Sequence, residues 1–189
     1  VSSGAIAFGC NMLNANVTKL KLQEKQNAAV CGQHELMAVY KKSFARYNTY
    51  VAQALVTIED VENRKRFVSI KNTLDYLLER NIIPIVNEND LIANTEIRFG
   101  DNDRLSARIA QISNADLLIM FSIVDGLYTA DPKLDNYSKF VSEVYEISPD
   151  VEAMATDKQQ KTGGMSAKIV SAKIALNSKC NIIIANGTF

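Results

Sequence analysis

Histidine is nearly absent from this chain, and the single one, His34, lies inside a long amphipathic stretch that predicts a helix. One histidine excludes histidine-based metal centres and argues against a Ser-His-Asp triad. Cysteine is also scarce: Cys10, Cys31 and Cys180 lie far apart, and no C-x-x-C pair occurs. This spacing argues against a disulfide framework or a zinc site and predicts a reducing compartment, the cytoplasm.

Net charge is absent too, because Lys and Arg total 21 and Asp and Glu total 21. Without an excess of positive charge, the chain has no field that would hold a nucleic acid or an anionic membrane. The local basic cluster at residues 63–66 is typical of a solvated helix face. No apolar run approaches the roughly 18 residues needed to span a bilayer, and no signal-peptide pattern opens the chain. The 47% hydrophobic and 22% charged content is that of a soluble globular protein.

The apolar pattern alternates between helical and strand-like stretches along the whole chain. Long amphipathic stretches predict helices at residues 21–48 and 60–80, and shorter ones begin at Asp103 and Gly164. Short apolar runs predict strands at residues 50–57, 81–87, 115–122 and 181–187. Strands that are apolar on successive residues are expected to be buried on both faces, as in a parallel sheet covered by helices. The pattern predicts an α/β layered fold in one domain.

Two of the predicted helices have a clear apolar face. In the stretch 60–80 we expect that face to contain Phe67, Ile70, Leu74, Leu77 and Leu78. In the last helix we expect it to contain Met165, Ile169, Ala172 and Leu176.

Three polar motifs each follow a strand. They are SSGA at residues 2–5, NEND at 87–90 and SIVDGLYTADP at 122–132. Because ligands of open α/β sheets bind beyond the carboxyl ends of the strands, these motifs are candidates for one site. SSGA predicts a small-residue turn into a helix, where exposed N–H groups could bind an anion. The alternative for DGLYTADP is a pair of surface turns.

KTGGMSAK, at residues 161–168, places two glycines before a helix and a lysine in the second helical turn. Backbone N–H groups at a helix start attract phosphate, and a lysine adds a full positive charge. Neither a P-loop nor a dinucleotide fingerprint occurs, so the alternative is a glycine loop with a surface lysine.

NEND and GDND, at residues 87–90 and 100–103, bring carboxylates and amides together twice within a short stretch. Such groups can bind the ammonium and carboxylates of a substrate. GDND alone is more typical of a turn and a helix cap, with Asp103 starting the helix, and it is the pair of clusters that favours a site. A phosphate-binding helix start, several lysines and no nucleophile–base pair indicate phosphoryl transfer by positioning and charge. These patterns do not name the phosphate acceptor.

Four motifs together resemble the amino acid kinase family: VSSGAIAFG, PIVNENDLIANTEIRFGDNDRLSA, DGLYTADP and TGGMSAK, in that order and spacing. The resemblance covers the chain as a single amino acid kinase domain, residues 1–189, and is strongest to the branch that phosphorylates glutamate. It implies an αβα sandwich around a mainly parallel sheet, which forms a homo-oligomer. It also implies transfer of phosphate from ATP, with Mg²⁺, to the γ-carboxylate of L-glutamate in proline synthesis, with proline as a candidate feedback inhibitor.

The resemblance also implies residue roles. Lys168 would neutralise charge on the transferring phosphoryl group, and Asp103 would hold the lysines in place. The residues that would bind or line the pocket for glutamate are Ser3, Gly4, Asn87, Asp90, Asp101 and Asn102. The residues that would bind ATP are Ser122, Thr162, Gly163, Gly164, Met165, Ser166, Ala167 and Lys168. The resemblance assigns no metal ligand to the chain, and replacing Lys168 is expected to leave folding almost unchanged.

Some positions depart from the family pattern. Ser122 and Ile123 stand where the family usually has Thr-Asp, and Lys161 replaces a common glycine. The family's first strand, with its Lys-x-Gly turn, and the end of its kinase domain are expected to lie outside the chain. The alternatives are a non-catalytic binding or regulatory paralogue, a related kinase for another amino acid, and a bare nucleotide-binding module, which leaves NEND and GDND unexplained.

Overall fold

A computed structural model describes residues 1–93, 101–155 and 164–188, with the backbone alone at Asp101. The chain divides into two compact units, Val1–Arg98 and Phe99–Phe189. Each unit has its own helices and its own pair of strands. That the chain forms one domain stays a prediction.

The described residues of the first unit form four α-helices and two strands. In chain order these are α1 (Ala5–Leu13), α2 (Leu22–Ala45), β1 (Tyr50–Val56), α3 (Ile58–Glu62), α4 (Arg64–Glu79) and β2 (Ile82–Glu88), with a short 3-10 helix at Val17–Lys19 between α1 and α2. The described residues of the second unit form three α-helices and two strands. These are α5 (Asp101–Ile112), β3 (Leu117–Ser122), α6 (Pro149–Met154), α7 (Met165–Leu176) and β4 (Asn181–Asn186).

Both strand pairs are parallel. Tyr50 of β1 lies opposite Ile82 of β2, and Leu117 of β3 lies opposite Asn181 of β4. The four predicted strands and their parallel direction are therefore confirmed. Because parallel strands end at the same edge of a sheet, the residues that follow β1 and β2 are neighbours, and so are those that follow β3 and β4.

Helices α1 and α2 pack closely because two glycines lie where their backbones cross. A Cβ atom on Gly9 would lie 1.8 Å from the carbonyl oxygen of Ala28, and one on Gly32 would lie 2.0 Å from that of Ala5. Only glycine permits this approach. The crossing fixes the face of α2 that packs on α1, where Ala29 and Leu36 are buried.

The predicted helix at residues 60–80 is wrong as a single element, because Asn63 interrupts it. Asn63 has an extended backbone (φ −80°, ψ 119°), and its side chain accepts hydrogen bonds from the N–H groups of Lys65 and Arg66. It therefore caps the start of α4 rather than continuing α3. The residues of the basic cluster are exposed, as predicted.

Two residues expected on buried helix faces are partly exposed. Leu74 and Ile169 are buried, but Leu78 is 47% exposed and Leu176 is 43% exposed. Both lie in the last turn of their helix.

Strand β3 is not buried on both faces, so this part of the expectation is wrong. Met120 is 4% exposed, whereas Ile119 and Phe121 on the opposite face are 49% and 67% exposed. Helices α5 and α7 pack against the first face, where Ala107, Ala175 and Cys180 form a buried cluster. Among the described residues of this unit, no helix covers the second face.

Several smaller expectations can be compared directly with the fold. His34 lies within α2, as predicted. All three cysteines are free, so no disulfide forms. In the part of the chain that the structure describes, no helix is both long enough and apolar enough to span a bilayer.

Candidate functional site

In the second unit, the chain direction places two helix N-termini beside the ends of two strands. Short turns join α5 to β3 and α7 to β4, and each turn contains a residue with positive φ, Asn114 (50°) and Lys179 (61°). Each helix therefore runs back along the strand that follows it, and the two helices contact each other. Consequently the first turns of α5 and α7 lie near the carboxyl ends of the parallel strands, where α/β proteins bind ligands.

Asp103 and Lys168 connect these two first turns. The Nζ atom of Lys168 lies 2.9 Å and 3.0 Å from the two carboxylate oxygens of Asp103. The side chains are 10% and 18% exposed, respectively. The structure thus brings together the two residues to which the family resemblance assigned catalytic roles.

This contact corrects two readings of the sequence. Lys168 is 8% exposed, so the alternative of a surface lysine after a glycine loop is wrong. Helix α5 begins at Asp101, so Asp103 lies in its first turn and does not start the helix. The Asp103 carboxylate accepts from Lys168, while the Asp103 carbonyl accepts from the Ser106 hydroxyl at 2.7 Å.

The start of α7 leaves backbone donors available. Gly164 precedes the helix, and no described side chain caps it. The Gly164 carbonyl accepts from the N–H groups of Ala167 and Lys168, which leaves the N–H groups of Met165 and Ser166 at the helix start. Such a helix start favours anions. Thr162 and Gly163, which were also predicted to bind ATP, lie outside the described residues.

The residues after β3 are anchored to the end of β4. The carbonyl of Ser122 accepts from the N–H of Gly187 at 2.8 Å, and the Asn186 side chain donates to Asp125 at 3.0 Å. Leu127 is 6% exposed, so the reading of this segment as surface turns alone is wrong. Ser122 is therefore held at the strand ends, and next to it Ile123 is 77% exposed.

In the first unit, the SSGA motif lies next to the end of β2. The N–H of Ser2 donates to the Val86 carbonyl at 2.9 Å. Gly4 then turns the chain into α1 with φ +112°, a conformation that favours glycine. No described side chain caps this helix. The predicted turn into a helix is confirmed, and it leaves Ser3 exposed at the helix start.

Asn87, at the end of β2, is held at both ends of its amide. Its Oδ1 atom accepts from the N–H of Glu88 at 2.9 Å, and its Nδ2 atom donates to Oε1 of Gln33 at 3.0 Å. Asn87 is 3% exposed and Gln33 is 8% exposed. Two helical turns further along α2, the Tyr40 hydroxyl donates to the Ser2 hydroxyl at 2.9 Å.

Sequence reasoning missed Gln33 and Tyr40. Both lie on the face of α2 that also carries Leu36, at a spacing of three and four residues. A polar residue on the apolar face of a predicted helix was the available signal, because buried polar groups generally have hydrogen-bond partners.

The remaining predicted substrate residues are placed as follows. Asp90 follows β2 in a turn where Asn89 donates its N–H to the Val56 carbonyl at 2.9 Å, and Asp90 is half-buried. Asn102 is half-buried in the first turn of α5, in the second unit. Asp101 begins that helix. The predicted glutamate residues are thus divided between the two units, with four in the first and two in the second.

Acidic side chains do not gather into a metal site in the described ranges 1–93, 101–155 and 164–188. No three His, Cys, Asp or Glu side chains come together there as metal ligands would. Among the described side chains at the starts of α5 and α7, the Asp103 carboxylate pairs with Lys168. These residues do not fit a protein-held Mg²⁺.

Comparison with solved structures supports the same fold. Aspartokinase III of E. coli, determined with aspartate and ADP in its R-state, matches 96% of this chain and 41% of its own, with a TM-score of 0.60. The sequences are 15% identical, so this likeness concerns the fold alone.

Curated relatives are much closer in sequence. The glutamate 5-kinases of Paramagnetospirillum magneticum, Pelagibacter ubique and Agrobacterium fabrum are 47%, 48% and 46% identical to this chain over 189 residues. The chain is 99% covered but spans about half the length of these relatives, between 49% and 51%. The amino acid kinase family as a whole matches residues 1–186. Because this match covers nearly the whole chain, the chain belongs to the amino acid kinase family.

Proposed function

We propose that the protein containing this chain transfers the γ-phosphoryl group of ATP to the γ-carboxylate of L-glutamate, as the first step of proline synthesis. The observation that carries this proposal is the buried Asp103–Lys168 pair at the starts of α5 and α7. The names of the relatives support the choice of glutamate as acceptor.

The geometry suits a reaction that needs charge stabilisation and positioning more than proton transfer. A carboxylate is ionised at neutral pH, so its oxygen can attack the phosphorus atom without a general base. The main barrier is the approach of two anions, which positive charge and backbone N–H groups lower. Lysine has three N–H donors, and the two oxygens of Asp103 accept two of them. We assign the third to an oxygen of the transferring phosphoryl group.

The other predicted residues take the following proposed roles. The N–H groups at the start of α7 bind ATP phosphates, and Ser122 lies beside the nucleotide. Thr162 and Gly163 extend this phosphate loop. The groups that bind glutamate are Ser3, Gly4, Asn87, Asp90, Asp101 and Asn102.

Mg²⁺ accompanies ATP in this proposal, and its charge would offset that of the phosphates. Because Mg²⁺ is commonly held by phosphate oxygens and water, the poor fit of the described side chains to a metal agrees with a metal carried by the nucleotide. A cytoplasmic location, a homo-oligomer and inhibition by proline complete the proposal and depend on the family resemblance alone.

A second candidate is a non-catalytic paralogue that binds glutamate or proline. Ile123 favours it, because an exposed apolar side chain stands where the family usually has an aspartate. Such a protein would bind ligand without turnover.

Trapping the acyl phosphate with hydroxylamine tests both candidates. The full-length protein is incubated with ATP, Mg²⁺ and glutamate, N-acetylglutamate, aspartate or carbamate in parallel. We expect hydroxamate with glutamate. Hydroxamate only with another acceptor contradicts the substrate assignment, and glutamate binding in calorimetry without any hydroxamate supports the paralogue.

A further inference from the structure

Gln33 is a buried polar residue that makes only part of the hydrogen bonds its side chain can make. It lies in the middle of α2 and is 8% exposed. Its Oε1 atom accepts from Nδ2 of Asn87 at 3.0 Å. Its Nε2 atom is buried and has no hydrogen-bond partner among the described residues.

This arrangement does not serve stability well. A buried donor without a partner loses its hydrogen bonds to water and gains none in the fold, so it destabilises the folded state. A methionine has a similar length and would place no unpartnered N–H group between α2 and β2. The benefit of glutamine at this position is its carbonyl oxygen, which gives Asn87 a fixed acceptor.

Asn87 is a residue whose orientation matters, because its amide can present either a donor or an acceptor. The N–H of Glu88 holds Oδ1 on one side, and Gln33 holds Nδ2 on the other. Both contacts favour the same orientation of the Asn87 amide, with Oδ1 toward Glu88 and Nδ2 toward Gln33. Loss of the Gln33 contact removes one of the interactions that hold the amide in this orientation.

We propose that Gln33 is a positioning residue for the acceptor substrate and acts through Asn87. This inference rests on the proposed function, because Asn87 is one of the residues assigned to glutamate. Gln33 fixes the Asn87 amide in the orientation that binds glutamate, and it has no part in binding ATP.

The test is a Gln33→Met variant of the full-length protein, with Gln23→Met as the matched control. Gln23 lies in the first turn of the same helix and is exposed. We expect Gln33→Met to raise the KM for glutamate about tenfold, the typical effect of losing one net hydrogen bond. We expect kcat and the KM for ATP to stay within about twofold, since the lost interaction affects ground state and transition state alike. The control should leave all three values unchanged.

Thermal unfolding separates positioning from a merely structural role. Gln33→Met removes one unpartnered donor together with one hydrogen bond to Asn87, and these two effects oppose each other, so we expect a melting temperature close to that of the wild type. A clear fall in melting temperature together with equal rises in both KM values overturns the proposal, and so does an unchanged KM for glutamate.

A second pair of variants keeps the test decisive if Gln33→Met folds poorly. Asn87→Ala removes the same hydrogen bond from the other side. In the Asn87→Ala background, Gln33→Met should have no further effect on the KM for glutamate. An additional rise in that background shows that Gln33 acts by another route.

The wild-type protein distinguishes failure of this inference from failure of the proposed function. If hydroxamate forms only with another acceptor, glutamate is the wrong substrate, and the KM for that acceptor becomes the readout for Gln33. If no acceptor reacts, the Kd for glutamate in calorimetry takes its place, with the same tenfold change expected. Absence of glutamate binding overturns both.

Discussion

Lys168→Met probes the contact that joins the first turns of α5 and α7. Replacing the lysine leaves the Asp103 carboxylate, whose side chain is 18% exposed, without its partner. Removing one member of a fully buried ion pair destabilises a protein by about 3–5 kcal/mol, and since both side chains here retain some contact with water we expect about 2–3 kcal/mol. This magnitude revises the sequence-based expectation that folding would be almost unchanged.

The effect on catalysis should be larger than the effect on folding. Removing one group that stabilises developing charge typically lowers kcat by about 10²–10³. We expect a loss of this size in the hydroxamate assay, at saturating ATP and glutamate and at a temperature where the variant is folded. Urea unfolding measures the change in stability. Lys173→Met is the control: Lys173 is on the same helix, is 43% exposed and pairs with Glu152.

The double variant Lys168→Met/Asp103→Leu separates the two roles. Removing both charges eliminates the uncompensated carboxylate. The loss of stability in the double variant should therefore be smaller, by about 1–3 kcal/mol, than the summed losses of the two single variants. Its turnover should remain as low as that of Lys168→Met. Near-normal turnover of Lys168→Met refutes its catalytic role, and additive stability changes refute the coupling with Asp103.

Two further predictions concern the first unit. Gly9→Ala would place a methyl group 1.8 Å from the carbonyl oxygen of Ala28, so we expect at least about 3 kcal/mol of destabilisation in urea, and a loss below about 1 kcal/mol contradicts the close crossing. Burial raises the pKa of Asp60, but hydrogen bonds from Thr57 and the charge of Arg66 outweigh it and hold the pKa below the usual 3.8. The Asp60 carboxylate therefore contributes stability above about pH 4, and this contribution is lost as the pH falls through its lowered pKa. We expect Asp60→Asn to be less stable than the wild type near neutral pH and to lose less stability on acidification. Parallel pH profiles of the melting temperature for the two proteins would argue against this role.

Local sequence determined most of the secondary structure. Short apolar runs predicted the four strands that the structure describes, and the continuous run of apolar residues in each predicted the parallel direction. Gly4 and Gly164 marked two helix starts, because glycine allows the chain to turn and the backbone to approach a ligand. The paired glycines of KTGGMSAK predicted the start of α7, and its binding of phosphate stays a prediction.

The helix break at Asn63 and the exposed face of β3 could not be predicted from the sequence pattern. An amphipathic period continues through residues 60–80, so only the competition between the Asn63 side chain and the helical backbone decides that α3 ends there. An apolar run does not show whether other elements cover both faces of a strand. Within its unit, β3 is covered on only one face, because Ile119 and Phe121 on the other face are exposed.

Side-chain partners across long separations were decided only by the tertiary structure. Lys168 and Asp103 are 65 residues apart, and Asn87 and Gln33 are 54 apart. The sequence by itself identified Lys168, Asp103 and Asn87 as candidates, because their residue types and motifs carry the chemistry. It did not show that Lys168 is buried or that Gln33 takes part. Those properties depend on how α7 packs against α5 and how α2 packs beside β2, since packing decides which polar groups lose water and must find each other.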